Sequence, residues 1–454
     1  MDISKIEKKT FGYTFLRTWV VRFWHSKVYY KKIIVQNAEY VPRNSHLIFT
    51  PNHQNALMDP LALISAVKTE PVFVARSDIF KKPLVAKFLI LIKILPIYRI
   101  RDGYSSLKKN NEVFTKTIDV IKNENGLCVL PEGNHDGHRR LRPFKKGFAR
   151  IAFQTEEAND FKMNIKIVPV GIDYSSYDKF RSVLLINFGK PLSVSDFYEI
   201  YKKNNVQGIN ALKDELPKHI KPLMVNIESV EFYSLYNELR EIYKTFMCKR
   251  LSLPNSEQPY KLKADQELIR ILEKYEKGHK DKMAEFQEIV LKYKSGLEKL
   301  KMNYDIIQKD SPSIISILFK SLMLLILSPV FLYGLINNYL IYKIPILFMK
   351  KIKDKQFHSS FKILISLLVA TFLHLFLVLL FWIFTSSLKL TAIYYISIIL
   401  SGMFAWWYHV QFKKLKMQWR YFSFKRKDNS LLKETISLYR TIIDTTNQIV
   451  DQYS

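Results

Sequence analysis

Three apolar stretches constrain this chain more than any other feature: Ile314 to Ile341, Phe361 to Phe384 and Thr391 to Val410. About 20 apolar residues suffice for a helix to cross a bilayer, so the last two have the length of single spans, with Lys362 at an end where it can snorkel. The first runs 28 residues, contains Lys320, and is interrupted by Ser328-Pro329, Gly334 and Asn337-Asn338. Proline removes an amide donor and breaks a helix, so this stretch is expected to be a re-entrant hairpin or two short passes. Charge supports the same layout. The connection from Tyr342 to Lys362 carries six Lys and one Asp, Thr385 to Leu390 carries only Lys389, and seven basic residues follow Val410 by Lys427. The positive-inside rule puts both basic regions in the cytoplasm, so a cytoplasmic N-terminal part requires an even number of crossings by the first stretch.

The whole chain of 454 residues holds 70 Lys and Arg against 41 Asp and Glu, a net +29. Such an excess draws phosphate, anionic lipid or nucleic acid and says nothing of fold. With 48% apolar and 14% aromatic residues, the chain is too hydrophobic for a disordered basic tail. Two cysteines, Cys128 and Cys248, provide neither a disulfide framework nor a zinc module, which suits a reducing compartment. The N-terminus has no apolar core of signal-peptide length.

Seven of the 13 glycines lie between Gly103 and Gly189, and ten of the 17 prolines between Pro42 and Pro191. Within that region short apolar runs end in turn residues: Leu47 to Thr50, Val72 to Val74, Leu127 to Leu130, Ile165 to Val170 and Val183 to Phe188. Between them Ser105 to Asn123 and Gly147 to Glu157 have helical patterns. Such alternation predicts an α/β sheet with parallel strands. Phe15, Trp19, Val20, Phe23 and Trp24, with Arg17, Arg22 and Lys27, predict an amphipathic helix, lying on a membrane surface or packed on the domain. Beyond Val230, Phe232 to Phe246 and Phe286 to Tyr304 read as two long helices, a hairpin joined through Leu253 to Tyr260. A further helix after Leu431, with Ile436, Leu438, Ile442 and Ile443, either mediates contacts or packs on them.

The densest chemical signal is Pro51-Asn52-His53-Gln54-Asn55-Ala56-Leu57-Met58-Asp59-Pro60, directly after an apolar run. A histidine at a strand end with a carboxylate shortly after suits a general base oriented by an acid. Three more blocks stand at the ends of short runs: Pro96-Ile97-Tyr98-Arg99-Ile100-Arg101, Pro131-Glu132-Gly133-Asn134-His135-Asp136 leading to Lys145-Lys146-Gly147, and Val168-Pro169-Val170-Gly171.

In this order the blocks resemble the four motifs of the glycerolipid acyltransferase family, which acylates glycerol 3-phosphate, dihydroxyacetone phosphate or lysophosphatidate. Family members typically place four residues between His and Asp. This chain has five, the spacing also used by fungal-type glycerol-3-phosphate/dihydroxyacetone-phosphate acyltransferases, which likewise show His-Asp after the Pro-Glu-Gly block. The resemblance implies that His53 deprotonates the acceptor hydroxyl for direct attack on an acyl thioester, and that Asp59 orients it. It further implies that Arg99, with Arg101 second, grips the acceptor phosphate, as guanidinium geometry suits. Glu132 and Gly133 would shape the acceptor pocket, Lys145 and Lys146 would contact phosphate, and Pro169 would mark the acyl-donor side.

The expected architecture is an α/β acyltransferase-type sheet flanked by helices, then long helices and a C-terminal helical membrane region. The expected divisions are a catalytic domain over 1–205, a helical extension over 206–310, a membrane region over 311–410 and a basic tail over 411–454. The expected enzyme is an integral, multi-pass membrane O-acyltransferase of the glycerol-3-phosphate type with its catalytic domain on the cytoplasmic face. Acyl-CoA or acyl carrier protein serves as co-substrate, with no resident cofactor. A lysophosphatidate acyltransferase is the second reading, and a non-catalytic scaffold binding anionic lipid the remote third. His135 and His138 read as a solvated turn, not a metal pair, and Cys128 as a buried structural thiol. The Arg139 to Lys146 run lacks the recognition elements of a nucleic-acid binder, so phosphate and membrane are the expected partners. Nothing in the sequence bears on oligomeric state.

Overall fold

The structure, a computed structural model, describes residues 3–4, 6–98, 109–308 and 313–453. It divides into two compact units. The first comprises Met1–Asn226, Ser256–Leu262 and Lys353–Ile363, and the second comprises Ile227–Asn255, Lys263–Ile352 and Leu364–Ser454. Residues 206–226 and 256–262 thus belong with the sheet.

Among the described residues the first unit is built on eight strands: β1 (Lys32–Gln36), β2 (Leu47–Pro51), β3 (Val72–Arg76), β4 (Ile94–Ile97), β5 (Leu127–Cys128), β6 (Lys166–Tyr174), β7 (Val183–Phe188) and β8 (Leu192–Ser193). Their order is β1-β7-β6-β2-β5-β3-β4, with β8 beside β6. From β6 to β4 every pairing along this path is parallel, while β7 and β8 run antiparallel to β6. The C-terminal ends of β2, β3, β4 and β5 therefore share one edge, where open α/β sheets collect their ligands. β1 and β8 escape the apolar-run criterion because β1 is half-exposed, with charged and polar ends, and β8 is two residues long.

Side chains alternate between two cores, as a sheet covered on both faces demands. Ile48, Val72, Leu127 and Ile167 join one, with helices α4 (Lys109–Lys122), α5 (Gly147–Glu157) and α7 (Asn205–Ile220). Leu47, Phe49, Phe73, Cys128 and Val168 join the other, with helix α2 (Met58–Ala66). Among the described residues the unit also carries α1 (Phe11–Leu16), α3 (Pro83–Leu91) and α6 (Tyr198–Lys203). Of the helix expected from Ser105, residues 105–108 lie outside the described residues.

Helix α1 continues over Arg17–Tyr29 as a π-helix, closed by a bond from the Tyr30 N–H to the His25 carbonyl at 3.1 Å. At a little over four residues per turn, every fourth side chain shares a face. Tyr13, Arg17, Val21, His25 and Tyr29 are buried, while Phe11, Phe15, Trp19 and Phe23 form an exposed ladder with ring centroids 5.9–6.4 Å apart. The packed reading of this helix holds for one face, and the other face is bare aromatic surface. Arg17 is a correction, for its guanidinium is buried and donates to the Val67 and Lys68 carbonyls, capping the C-terminal end of α2.

The second unit is helical: α8 (Tyr233–Arg250), α9 (Gln258–Glu276), α10 (Lys280–Leu300), α11 (Tyr304–Gln308), α12 (Ile314–Met349), α13 (His358–Thr385), α14 (Leu388–Arg426) and α15 (Ser430–Tyr453). The first turns of α9 and α13 belong to the first unit. The expected hairpin of two long helices is in fact three, because α9 occupies the sequence after the predicted joint. Helix α10 stops at Leu300, where Lys301 adopts φ 52°. Helix α15 packs on α10, with Thr435 against Gly296 and Tyr439 beside Tyr293.

Helices α12, α14 and the stretch Lys355–Thr385 are each long and apolar enough to cross a membrane. Helix α12 is one continuous helix of 36 residues, so the break expected at Ser328-Pro329 does not occur. The Leu325 carbonyl, which proline deprives of its amide partner, accepts the Ser328 hydroxyl at 2.7 Å. Gly334 and the two asparagines are contacts between helices. A Cβ on Gly334 would meet the Ser401 carbonyl at 2.2 Å, Asn338 donates to the Ile398 carbonyl at 3.0 Å, and Asn337 accepts from the Tyr394 hydroxyl at 2.8 Å.

Candidate active site

Strand β2 delivers His53 through an asparagine clasp. Asn52 accepts the Ile172 N–H at 2.6 Å and donates to the Ile172 carbonyl at 3.1 Å, extending the pairing with β6 past the end of the strand. The next backbone N–H, that of His53, donates to Glu132 Oε1 at 2.6 Å. The chain then turns through Ala56, a non-glycine residue at φ 42°, and enters α2 with Asp59 in its first turn. The five-residue spacing is thus accommodated by one left-handed residue, which leaves the carboxylate facing the imidazole.

His53 Nδ1 lies 2.8 Å from Asp59 Oδ2. The same oxygen accepts the N–H groups of Gln54 and Asn55, each at 2.8 Å, and Oδ1 accepts the Tyr174 hydroxyl at 2.7 Å. Asp59 is fully buried, so four donors and the N-terminus of α2 replace the water its charge has lost. The His53 side chain is 12% exposed, and its Nε2 has no partner among the described residues. A histidine held at Nδ1 by a buried carboxylate, with Nε2 open, is arranged to take a proton.

Glu132 sits behind this pair, not in an open pocket. It is buried, its second oxygen accepts the Arg142 N–H at 3.0 Å, and burial pushes its carboxyl up to about 8 against the lowering effect of its two backbone donors. Its structural effect is to tie the loop after β5 to the backbone of His53. Gly133 follows at φ 67°, a turn that glycine adopts without strain, and a Cβ there would sit 3.3 Å from the Lys145 side chain.

His135 corrects the solvated-turn reading. Its ring meets that of His53 edge-on, with centroids 4.7 Å apart at 89°, and also packs against Phe357 at 4.8 Å. Burial, followed by the neighbouring His53, pushes His135 down to about 4, so the ring is neutral at pH 7. His138 is exposed and lies 3.4 Å from Asp136. Among the described residues, no three His, Cys, Asp or Glu side chains gather to hold a metal ion.

Arg139 opens the predicted basic run but is buried against Asp173 and the Tyr174 carbonyl, over the Tyr177 ring at 4.9 Å. It supports the fold and is not available to a phosphate. Arg140, Arg142 and Lys146 are half-exposed and Lys145 is exposed. Arg99 and Arg101 lie outside the described residues. Arg76, at the end of β3, acts electrostatically on His135 and is a cation near the pair that no motif marked. Pro169 is buried in β6, in register with Thr50, and Cys128 is buried as expected. The Lys362 amine donates to the Asp178 carbonyl at 3.0 Å. Besides His135, the sequence reading missed Tyr174, Tyr177 and the serines at 359 and 360, which reach the site from elements far along the chain and carry no local signal.

Residues 32–173 match the model of the family described as Acyltransferase. The chain is 26% identical over 156 residues to glycerol-3-phosphate O-acyltransferase 1 of Saccharomyces cerevisiae, a match covering 33% of this chain and 20% of that protein. It is 25% identical over 201 residues to a 1-acyl-sn-glycerol-3-phosphate acyltransferase of Borreliella burgdorferi, covering 43% of this chain and 74% of that protein. The crystal structure of the 1-acyl-sn-glycerophosphate acyltransferase of Thermotoga maritima is similar over 46% of this chain and 79% of that one, at 21% identity and a TM-score of 0.29.

Proposed function

The chain belongs, through residues 32–173, to the glycerolipid acyltransferase family, and on that premise we propose a membrane-bound O-acyltransferase that acylates glycerol 3-phosphate or dihydroxyacetone phosphate from an acyl thioester. The observation that carries the reading is the open Nε2 of His53, set by Asp59 at the C-terminal edge of a parallel sheet. In this reading Nε2 takes the proton of the acceptor hydroxyl while its oxygen attacks the thioester carbonyl carbon. The C–S bond then breaks, and the thiolate leaves with the proton that His53 returns. Transfer is direct, since Cys128 is buried and desolvation pushes its thiol well above the ordinary range. Acyl-CoA or acyl carrier protein is the co-substrate, with no resident cofactor. Arg99, then Arg101, with Lys145 and Lys146, would hold the acceptor phosphate, and Pro169 would lie on the donor side. The enzyme would be multi-pass, with its catalytic domain on the cytoplasmic face.

Acylation of lysophosphatidate is the second reading, favoured by the longer coverage of the Borreliella burgdorferi relative, whereas the five-residue His–Asp spacing favours the first acylation. Purified full-length protein offered the three acceptors side by side decides between them. Turnover of glycerol 3-phosphate or dihydroxyacetone phosphate, abolished in His53→Ala, is the expected result. Preference for lysophosphatidate would transfer the assignment, and full activity in His53→Ala would end it.

A further inference from the structure

The loop that carries His53 and Asp59 is braced within the first unit by residues from the far end of the chain. Ser359 is buried, and its hydroxyl bonds Asn55 Oδ1 from 304 residues further on. The Asn55 side chain is held at its other end by the Tyr177 carbonyl, at 3.2 Å, and its backbone N–H is one of the donors to Asp59 Oδ2. Ser360, also buried, accepts the Leu57 N–H at 3.1 Å. Leu57 precedes the first residue of α2 and has no side chain able to cap it, so this hydroxyl satisfies a donor at the start of the helix that presents Asp59. Phe357 closes the same region by packing edge-on against His135. Ile363 anchors the segment in the core beneath.

We propose that Phe357, Ser359 and Ser360 are positioning residues of the acyltransferase site, acting on His53 through Asn55, the start of α2 and His135. The segment that runs into the apolar helix α13 is then part of the catalytic apparatus, and the site is complete only when that segment is seated. This rests on the acyltransferase reading above for its activity test.

The experiment uses full-length protein with Ser359→Ala, Ser360→Ala, the double variant and Phe357→Leu. Losing one hydrogen bond of this kind costs roughly two- to thirteenfold. The expected result is a fall in kcat of about that size per serine, with acceptor and donor KM unchanged. In an Asp59→Ala background Ser359→Ala should cost less than twofold, because the route it acts through is already broken. An unchanged kcat in the double variant and in Phe357→Leu, or the same loss with and without Asp59, overturns the proposal. If wild-type protein acylates none of the three acceptors, the functional reading fails by itself. The brace is then decided by diethylpyrocarbonate modification of His53, quantified by peptide mass spectrometry. A rate at least threefold slower in the double variant upholds it, and an equal rate refutes it.

Discussion

Replacing Asp59 with Asn tests the electrostatic core of the site while leaving its hydrogen bonds nearly intact. Three donors converge on Oδ2 and one on Oδ1. An asparagine can keep its carbonyl toward the three and turn its NH2 toward the Tyr174 oxygen, which accepts as readily as it donates. The imidazole then keeps its tautomer, and what disappears is the negative charge. At about 4 Å between charge centres and an effective dielectric of about 20, that charge stabilises an imidazolium by up to ~4 kcal/mol. The expected loss in kcat is therefore between about a hundred- and a thousandfold. Asp59→Ala, by contrast, strands two backbone N–H groups at a cost of roughly 1–3 kcal/mol each, so its thermal midpoint should fall well below that of the Asn variant. Thiol release from acyl-CoA, followed colorimetrically, gives the rate, and a thermal melt gives the stability. Asp59→Asn retaining more than a third of wild-type kcat, or melting with Asp59→Ala, would refute this account.

Glu132→Gln offers one carbonyl where two backbone N–H groups are held, so it should lower stability by about 1–3 kcal/mol, measured by denaturant titration, and reduce turnover through the His53 backbone. His25 is wholly buried and burial pushes it down to about 3, so its contribution to stability is present above pH 6.5 and is lost as pH falls from 6.5 toward 3. Thermal midpoints recorded from pH 7 to pH 4 should decline, and His25→Gln should flatten the decline; a parallel slope in the variant would clear His25. Lys301→Gly removes a side chain from an exposed left-handed position at the end of α10 and should stabilise the protein by roughly 0.5–1 kcal/mol, read as a raised unfolding midpoint.

The strands and the His53–Asp59 pairing are legible where their signal is local. The runs at Leu47, Val72 and Val183 alternate between two apolar faces and became β2, β3 and β7, and the His53–Asp59 pair stands where a strand meets a helix. Misreadings arose where a residue's partner is remote. Arg17 and Arg139 look like surface cations until the Val67 carbonyl and Asp173 come within reach. Pro329 looks like a break until Ser328 supplies the missing donor, and Asn338 looks like a kink until Ile398 accepts its amide. His135 looked idle because no spacing rule links it to His53; only the sheet register brings β2 beside β5.

The first unit is not contiguous in sequence, for its last segment, Lys353–Ile363, is made long after Asn226. At about 5–20 residues per second, a ribosome takes roughly ten to thirty seconds to reach that segment after finishing the sheet. Through that interval the nascent domain holds His53 and Asp59 without the two hydroxyls that bond Asn55 and the Leu57 N–H. The brace on the His53 loop is therefore completed only after the apolar helix α12 has been synthesised and as α13 begins.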